Sequence, residues 1–84
     1  MPIPSQSELE RALNDAGSAH HEYEQVFLGG VRDEMWPGFY AAFVLGRVGK
    51  FVAPSTLSRW LEEVPVTENW SASAASYVLS HLTD

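Results

Sequence analysis

His20, His21 and Glu24 are the residues of this chain best suited to chemistry. On a helix the four-residue step sets the His20 and Glu24 side chains on one face, where an imidazole and a carboxylate can share a metal ion or a small ligand. Asp33, Glu34 or His81 would have to complete the shell. The spacing lacks the second histidine of H-E-x-x-H and the paired E-x-x-H of di-iron bundles. His20 also continues an apolar stripe, so the plainer expectation is a histidine at the edge of the interior, hydrogen-bonded to a carboxylate or carbonyl. No cofactor is implied and no metal is expected; His20 and Glu24 are the residues to follow if a metal or small ligand binds.

A second pattern is GRVGKFVAPSTLSRWLEEV, residues 46–64. A helix, a turn at Gly49 and a further helix opening with Ser55, Thr56, Ser58 and Arg59 resemble a helix-turn-helix, which sets the polar start of its second helix against base edges. Arg47, Lys50 and Arg59 give this middle stretch a local positive charge. Against that reading stand a formal net charge of -6, few bases, and Glu62 and Glu63 directly behind Trp60 and Leu61. Nucleic acid is therefore not the expected partner. The serines at 71, 73, 76 and 80 have no nucleophile elbow and no acid-base partner, and Gly29-Gly30 lacks the lysine and threonine of a phosphate loop. The chain is not expected to be an enzyme.

The elements that must position these residues follow from punctuation and period. Ser5 or Ser7, with Glu8 or Glu10 three residues on, can cap a first helix whose Leu9, Leu13, Ala16, His20, Tyr23 and Phe27 recur at three- and four-residue steps until Gly29 and Gly30. A second helix is expected from about Asp33, with Pro37 in its first turn. It carries Trp36, Tyr40, Phe43, Val44 and Val48 on one stripe and Phe39 beside it, up to Gly49. A third follows Pro54, capped by Ser55 or Thr56, turns Leu57, Trp60, Leu61 and Val64 inward, and stops at Pro65. Thr67 or Asn69 caps a fourth, with Trp70, Ala74, Tyr77, Val78, His81 and Leu82 on its inner face.

The combination of AHHEYE at 19–24 with RDEMWPGFYAAF at 32–43 resembles a pattern in small bacterial helical proteins and domains, an H-H-x-Y-E element followed by D-E-x-W-P-x-W-Y-A. Phe39 stands where that pattern has a tryptophan. The resemblance implies that the first helix pairs with the second through Tyr23 and the Trp36 to Tyr40 cluster. It implies nothing about catalysis.

The 84 residues are 45% hydrophobic and 12% aromatic, enough for one modest core and one domain. The fold class expected over residues 1–84 is all-α, four short helices around an aromatic-rich core. Without cysteine there is no disulfide framework, and no apolar run suits a membrane span or a leader peptide, so a cytoplasmic protein is expected. Three Trp, three Tyr and four Phe exceed what so small a core can hide. The surplus makes association the expected function, with a protein partner or a second copy. The interface candidates are Trp36, Phe39, Tyr40 and Phe43, rimmed by Arg47, Lys50 and Arg59.

Overall fold

The computed structural model describes residues 3–83, which form four α-helices: α1 Gln6–Phe27, α2 Trp36–Val48, α3 Pro54–Glu63 and α4 Trp70–Thr83. No strand occurs among the described residues, as the all-α reading expects. None of these helices is long and apolar enough to cross a membrane.

Local chemistry sets each boundary. Ser5, and not Ser7, caps α1: its Oγ accepts the Glu8 N–H at 3.1 Å while Glu8 Oε1 accepts the Ser5 N–H at 2.9 Å. This reciprocal pair satisfies two amides that a helix start leaves without partners. The Ser5 backbone N–H first, and the Ser5 hydroxyl second, hold the Glu8 carboxyl below its usual value. Ser5→Ala should lower stability by about 1 kcal/mol and the thermal midpoint by about 4–8 °C, read from a circular-dichroism melt. α1 ends where the Leu28 and Gly30 N–H groups both donate to the Glu24 carbonyl, at 3.2 and 2.9 Å. Gly29 and Gly30 sit there at φ 61° and 85°, a left-handed backbone that side chains disfavour.

α2 starts later than expected. Asp33 Oδ1 accepts the Met35 N–H at 2.9 Å and the Asp33 carbonyl accepts the Trp36 N–H at 3.3 Å. The chain therefore makes a turn before the helix, and Asp33 and Glu34 precede its first turn, where the sequence reading had put them inside it. α3 has Ala53 at its N-cap with no side-chain cap and Pro54 in the first turn. Ser55 and Thr56, expected as caps, lie within that turn instead. The α4 boundary is marked by the Asn69 carbonyl, which accepts the Ser73 N–H at 3.0 Å.

Each helix packs on two others in cyclic order, α1 on α2, α2 on α3, α3 on α4 and α4 on α1, with no backbone contact across either diagonal. The α3–α4 contact is the thinnest. Fully buried residues are aliphatic: Leu9, Ala12, Leu13 and Ala16 on α1, Ala41 and Val44 on α2, Leu57 and Leu61 on α3, and Ala74, Ala75 and Val78 on α4. Trp36, Tyr40, Phe51, Trp60, Trp70 and Tyr77 pack against this interior as a partly buried aromatic shell. Polar bonds tie the ring of helices together. Gln6 Nε2 donates to the Ala72 carbonyl at 3.1 Å and Ser76 Oγ donates to Gln6 Oε1 at 3.2 Å. The Tyr77 hydroxyl donates to Glu63 Oε1 at 2.7 Å, which raises the Tyr77 pKa above its ordinary value.

α2 lies antiparallel along α1. Arg47 Nη1 donates to Asp15 Oδ2 at 2.6 Å near one end, and the Phe39 ring is 5.4 Å from that of Tyr23 near the other. The last turn of α1 projects past this pairing, leaving Val26 66% and Phe27 75% exposed.

Candidate functional site

The aromatic residues of α2 divide between two sides. Trp36 and Tyr40 turn toward the start of α4 and meet Trp70. The centroid separations are 5.3 Å for Trp36–Tyr40, 5.7 Å for Trp36–Trp70 and 5.6 Å for Tyr40–Trp70, and the ring planes are nearly perpendicular in each pair, at 81°, 78° and 86°. Phe39 turns toward α1, 5.0 Å from the His20 ring and 5.4 Å from Tyr23, which is in turn 5.5 Å from Phe27. Phe43 carries the Arg47 guanidinium 5.2 Å from its ring centre, a cation–π contact.

Trp36, Tyr40 and Trp70 line a cleft of about 450 Å³, with His20, Glu24 and Asp33 along its polar side and Arg32 and Val66 completing the lining. Gly17 helps to shape it. A Cβ on Gly17 would stand 3.2 Å from the Tyr40 hydroxyl, so the bare backbone gives the phenol its place against α1.

His20, Glu24 and Asp33 form a hydrogen-bonded trio across the α1–α2 connection. His20 is 7% exposed, and its Nε2 lies 3.0 Å from Asp33 Oδ2. A carboxylate can only accept, so Nε2–H donates and the tautomer is fixed at that nitrogen. The His20 bond, with the Met35 N–H, holds the Asp33 carboxyl below the 3.8 usual for the side chain. Glu24 Oε2 accepts the Asp33 N–H at 2.8 Å, leaving Oε1 3.9 Å from His20 Nδ1, beyond hydrogen-bond reach. Tyr40 is pushed above its ordinary pKa by burial first and by the nearby Glu24 charge second.

This is the edge-of-core histidine, bonded to a carboxylate, that the sequence anticipates. His20 and Glu24 share a face, yet their polar atoms turn to Asp33 and do not converge on a common point. Among the described residues no group of three His, Asp or Glu side chains is set to hold a metal ion. His81 is remote from the trio: it lies against Trp60 at 5.0 Å and Tyr77 at 4.4 Å, and its Nδ1 donates to the Tyr77 carbonyl.

The basic residues are brought to separate places. Arg47, at the end of α2, pairs with Asp15, and Lys50 is exposed just beyond. Arg59 lies at the opposite end of α2, in a shallow groove with Glu34, Met35, Gly38, Ser55 and Glu62. The Ser58 hydroxyl donates to the Pro54 carbonyl at 2.8 Å. The surface that a helix-turn-helix would present therefore mixes one arginine with two acids, and no continuous basic patch joins residues 47, 50 and 59.

No protein-family model matches this chain, nor does any curated protein or solved structure. Its function is therefore argued from its own surface.

Two features were not legible in advance. Tyr23 and Phe27 read as inward-facing from their spacing, but one is half-buried and the other exposed, because α2 covers only part of α1. Trp70, expected on the inner face of α4, packs against the interior with one side and forms a wall of an open cleft with the other. The signal for that wall was its position as the first residue of α4, with the polar segment 65–69 before it and nothing apolar to cover it except Val66, itself 91% exposed.

Proposed function

We infer that this chain is a non-enzymatic association module whose contact face is the ladder of rings formed by Phe39, Tyr23 and Phe27, with a second copy of itself as first partner. The carrying observation is a run of ring contacts, Phe39 to Tyr23 to Phe27, that starts half-buried and ends exposed to water. Phe27 is 75% and Val26 66% exposed at its end, and Val31 in the connecting segment is 67% exposed. Large rings held outside a core that is already closed by aliphatic residues are costly to leave in water, and a two-fold pairing covers them by setting the same face against itself. Phe43 with Arg47 supplies a half-buried extension along α2, rimmed by the Asp15 pair. Trp36 and Tyr40, engaged with Trp70, are not part of this face. Lys50 and Arg59 lie outside it as well. A cysteine-free acidic chain also suits a reducing compartment such as the cytoplasm. Nucleic-acid binding through residues 46–64 draws no support from a groove in which Glu34 and Glu62 flank Arg59.

The test is molar mass in solution from about 10 µM to about 1 mM, because association follows concentration by mass action. The expected result is a rise toward twice the monomer mass, abolished in Phe27→Ser. The thermal stability of the monomeric variant should stay within about 0.5 kcal/mol of wild type, since so exposed a ring does little for the fold. A wild-type protein that remains monomeric throughout the range overturns self-association.

A further inference from the structure

The cleft bounded by Trp36, Tyr40 and Trp70 is separate from the association face and has a chemistry of its own. Its three rings form a nearly equilateral triangle, with planes between 78° and 86° apart. Three ring faces at right angles, each about 4 Å from one point, have centroids about 5.7 Å apart; edge-to-face pairs share this spacing, and it is the common open volume that sets the three rings around one space. The separations here run from 5.3 to 5.7 Å. All three rings contribute surface to the same open volume of about 450 Å³, larger than a trimethylammonium group needs, so a substituent has room beside it.

The polar side of the cleft carries matching charge. Glu24 is 20% exposed, uses Oε2 for the Asp33 amide and has Oε1 beyond hydrogen-bond reach of His20. It lines the same open volume as the three rings, and its charge helps to raise the Tyr40 pKa. Asp33 adds a second carboxylate, whose Oδ2 accepts the hydrogen bond from His20. Among the described residues Arg32 is the one fixed positive charge in the lining, and with a side chain 74% exposed and Glu34 at 4.0 Å it is screened by water and a neighbouring acid. The chain's net charge of -6 further favours a cation.

We propose that this cleft binds a small quaternary ammonium compound, the cation held against Trp36, Tyr40 and Trp70 with Glu24 as its counter-charge. A methylated cation forms no hydrogen bonds, so a site made of ring faces with a carboxylate at the side serves it better than a hydrogen-bonding cage. The polar atoms already engaged within the His20, Glu24 and Asp33 trio are then no obstacle to binding. They hold the carboxylate in place.

The experiment uses the full chain carrying Trp60→Phe, which leaves Trp36 and Trp70 as the only indoles, and follows their fluorescence on titration with choline and with 3,3-dimethylbutan-1-ol, its uncharged isostere. Saturable binding of choline, with the isostere weaker by about tenfold or more, is the expected result. Glu24→Gln retains an acceptor for the Asp33 amide and should still fold; it should weaken choline by several-fold and leave the isostere unchanged. A parallel arm with phosphatidylcholine vesicles identifies the source. Vesicle binding displaced by free choline assigns a lipid headgroup, and choline binding without vesicle binding assigns a free compound. Equal binding of choline and the isostere, or no choline response in a folded protein, overturns the proposal.

Discussion

Leu61→Ala should remove about 3 kcal/mol of stability, the range for deleting a buried leucine in a site that cannot collapse around the gap. Leu61 is fully buried. With Leu57 it provides the buried anchors of α3, a helix of 10 residues that touches α4 only lightly. A chain of this length has about 4 to 13 kcal/mol of total stability, so one side chain carries a substantial fraction of it. The thermal midpoint should fall by about 12 °C or more. Hydrogen exchange should accelerate first in α3, because the other three helices keep their buried contacts. The exposed substitution Arg59→Ala on the same helix should stay within about 0.5 kcal/mol of wild type in urea titration. Similar losses from the two variants would mean that α3 is not anchored as described.

His20→Ala should have the next largest effect, about 2 to 4 kcal/mol, by deleting a buried ring and its hydrogen bond together. The ring lies 5.0 Å from Phe39 and 5.4 Å from Tyr40, and its Nε2 fixes Asp33 ahead of α2. A pH dependence accompanies this bond. The folded Asp33 carboxyl titrates below its ordinary 3.8, so its contribution is fully present above that value and is lost as pH falls through the lower folded one. Glu8, lowered for a different reason, acts with the same sign and remains as background. Urea midpoints measured downward from pH 5 should therefore decline more steeply in wild type than in Asp33→Asn. Parallel slopes for the two proteins would remove Asp33 as a source of the acid sensitivity.

The helices were legible because their ends are written in local chemistry. Ser5 with Glu8, the glycines at 29, 30 and 49, and the proline at 65 act within a few residues of where they stand, and the structure keeps each of those boundaries; α3 begins at Pro54 itself and not after it. The start of α2 was misplaced because Asp33 spends one carboxylate oxygen on the Met35 amide and the other on His20, a partner thirteen residues away in sequence that no local rule includes. The division of the α2 aromatics was hidden for a related reason. Period 3.6 assigns Trp36, Tyr40 and Phe43 to one stripe, but which side of it meets α1 and which meets Trp70 depends on the angle between helices. The basic cluster was an effect of counting along the chain: Arg47 and Arg59 lie at opposite ends of α2, each with an acid near it.

Five alanines, Ala12, Ala16, Ala41, Ala74 and Ala75, are almost fully excluded from water. A methyl at each of these positions lets neighbouring helix axes draw close, and the space between them is then filled. The aromatic residues are consequently kept at the margin, since no gap wide enough for an indole or phenyl remains inside. Variation that preserves this architecture is thus confined to the perimeter: bulkier groups in the centre would force the helices apart, whereas the rim can exchange one ring for another and alter what the molecule recognises without disturbing how it folds.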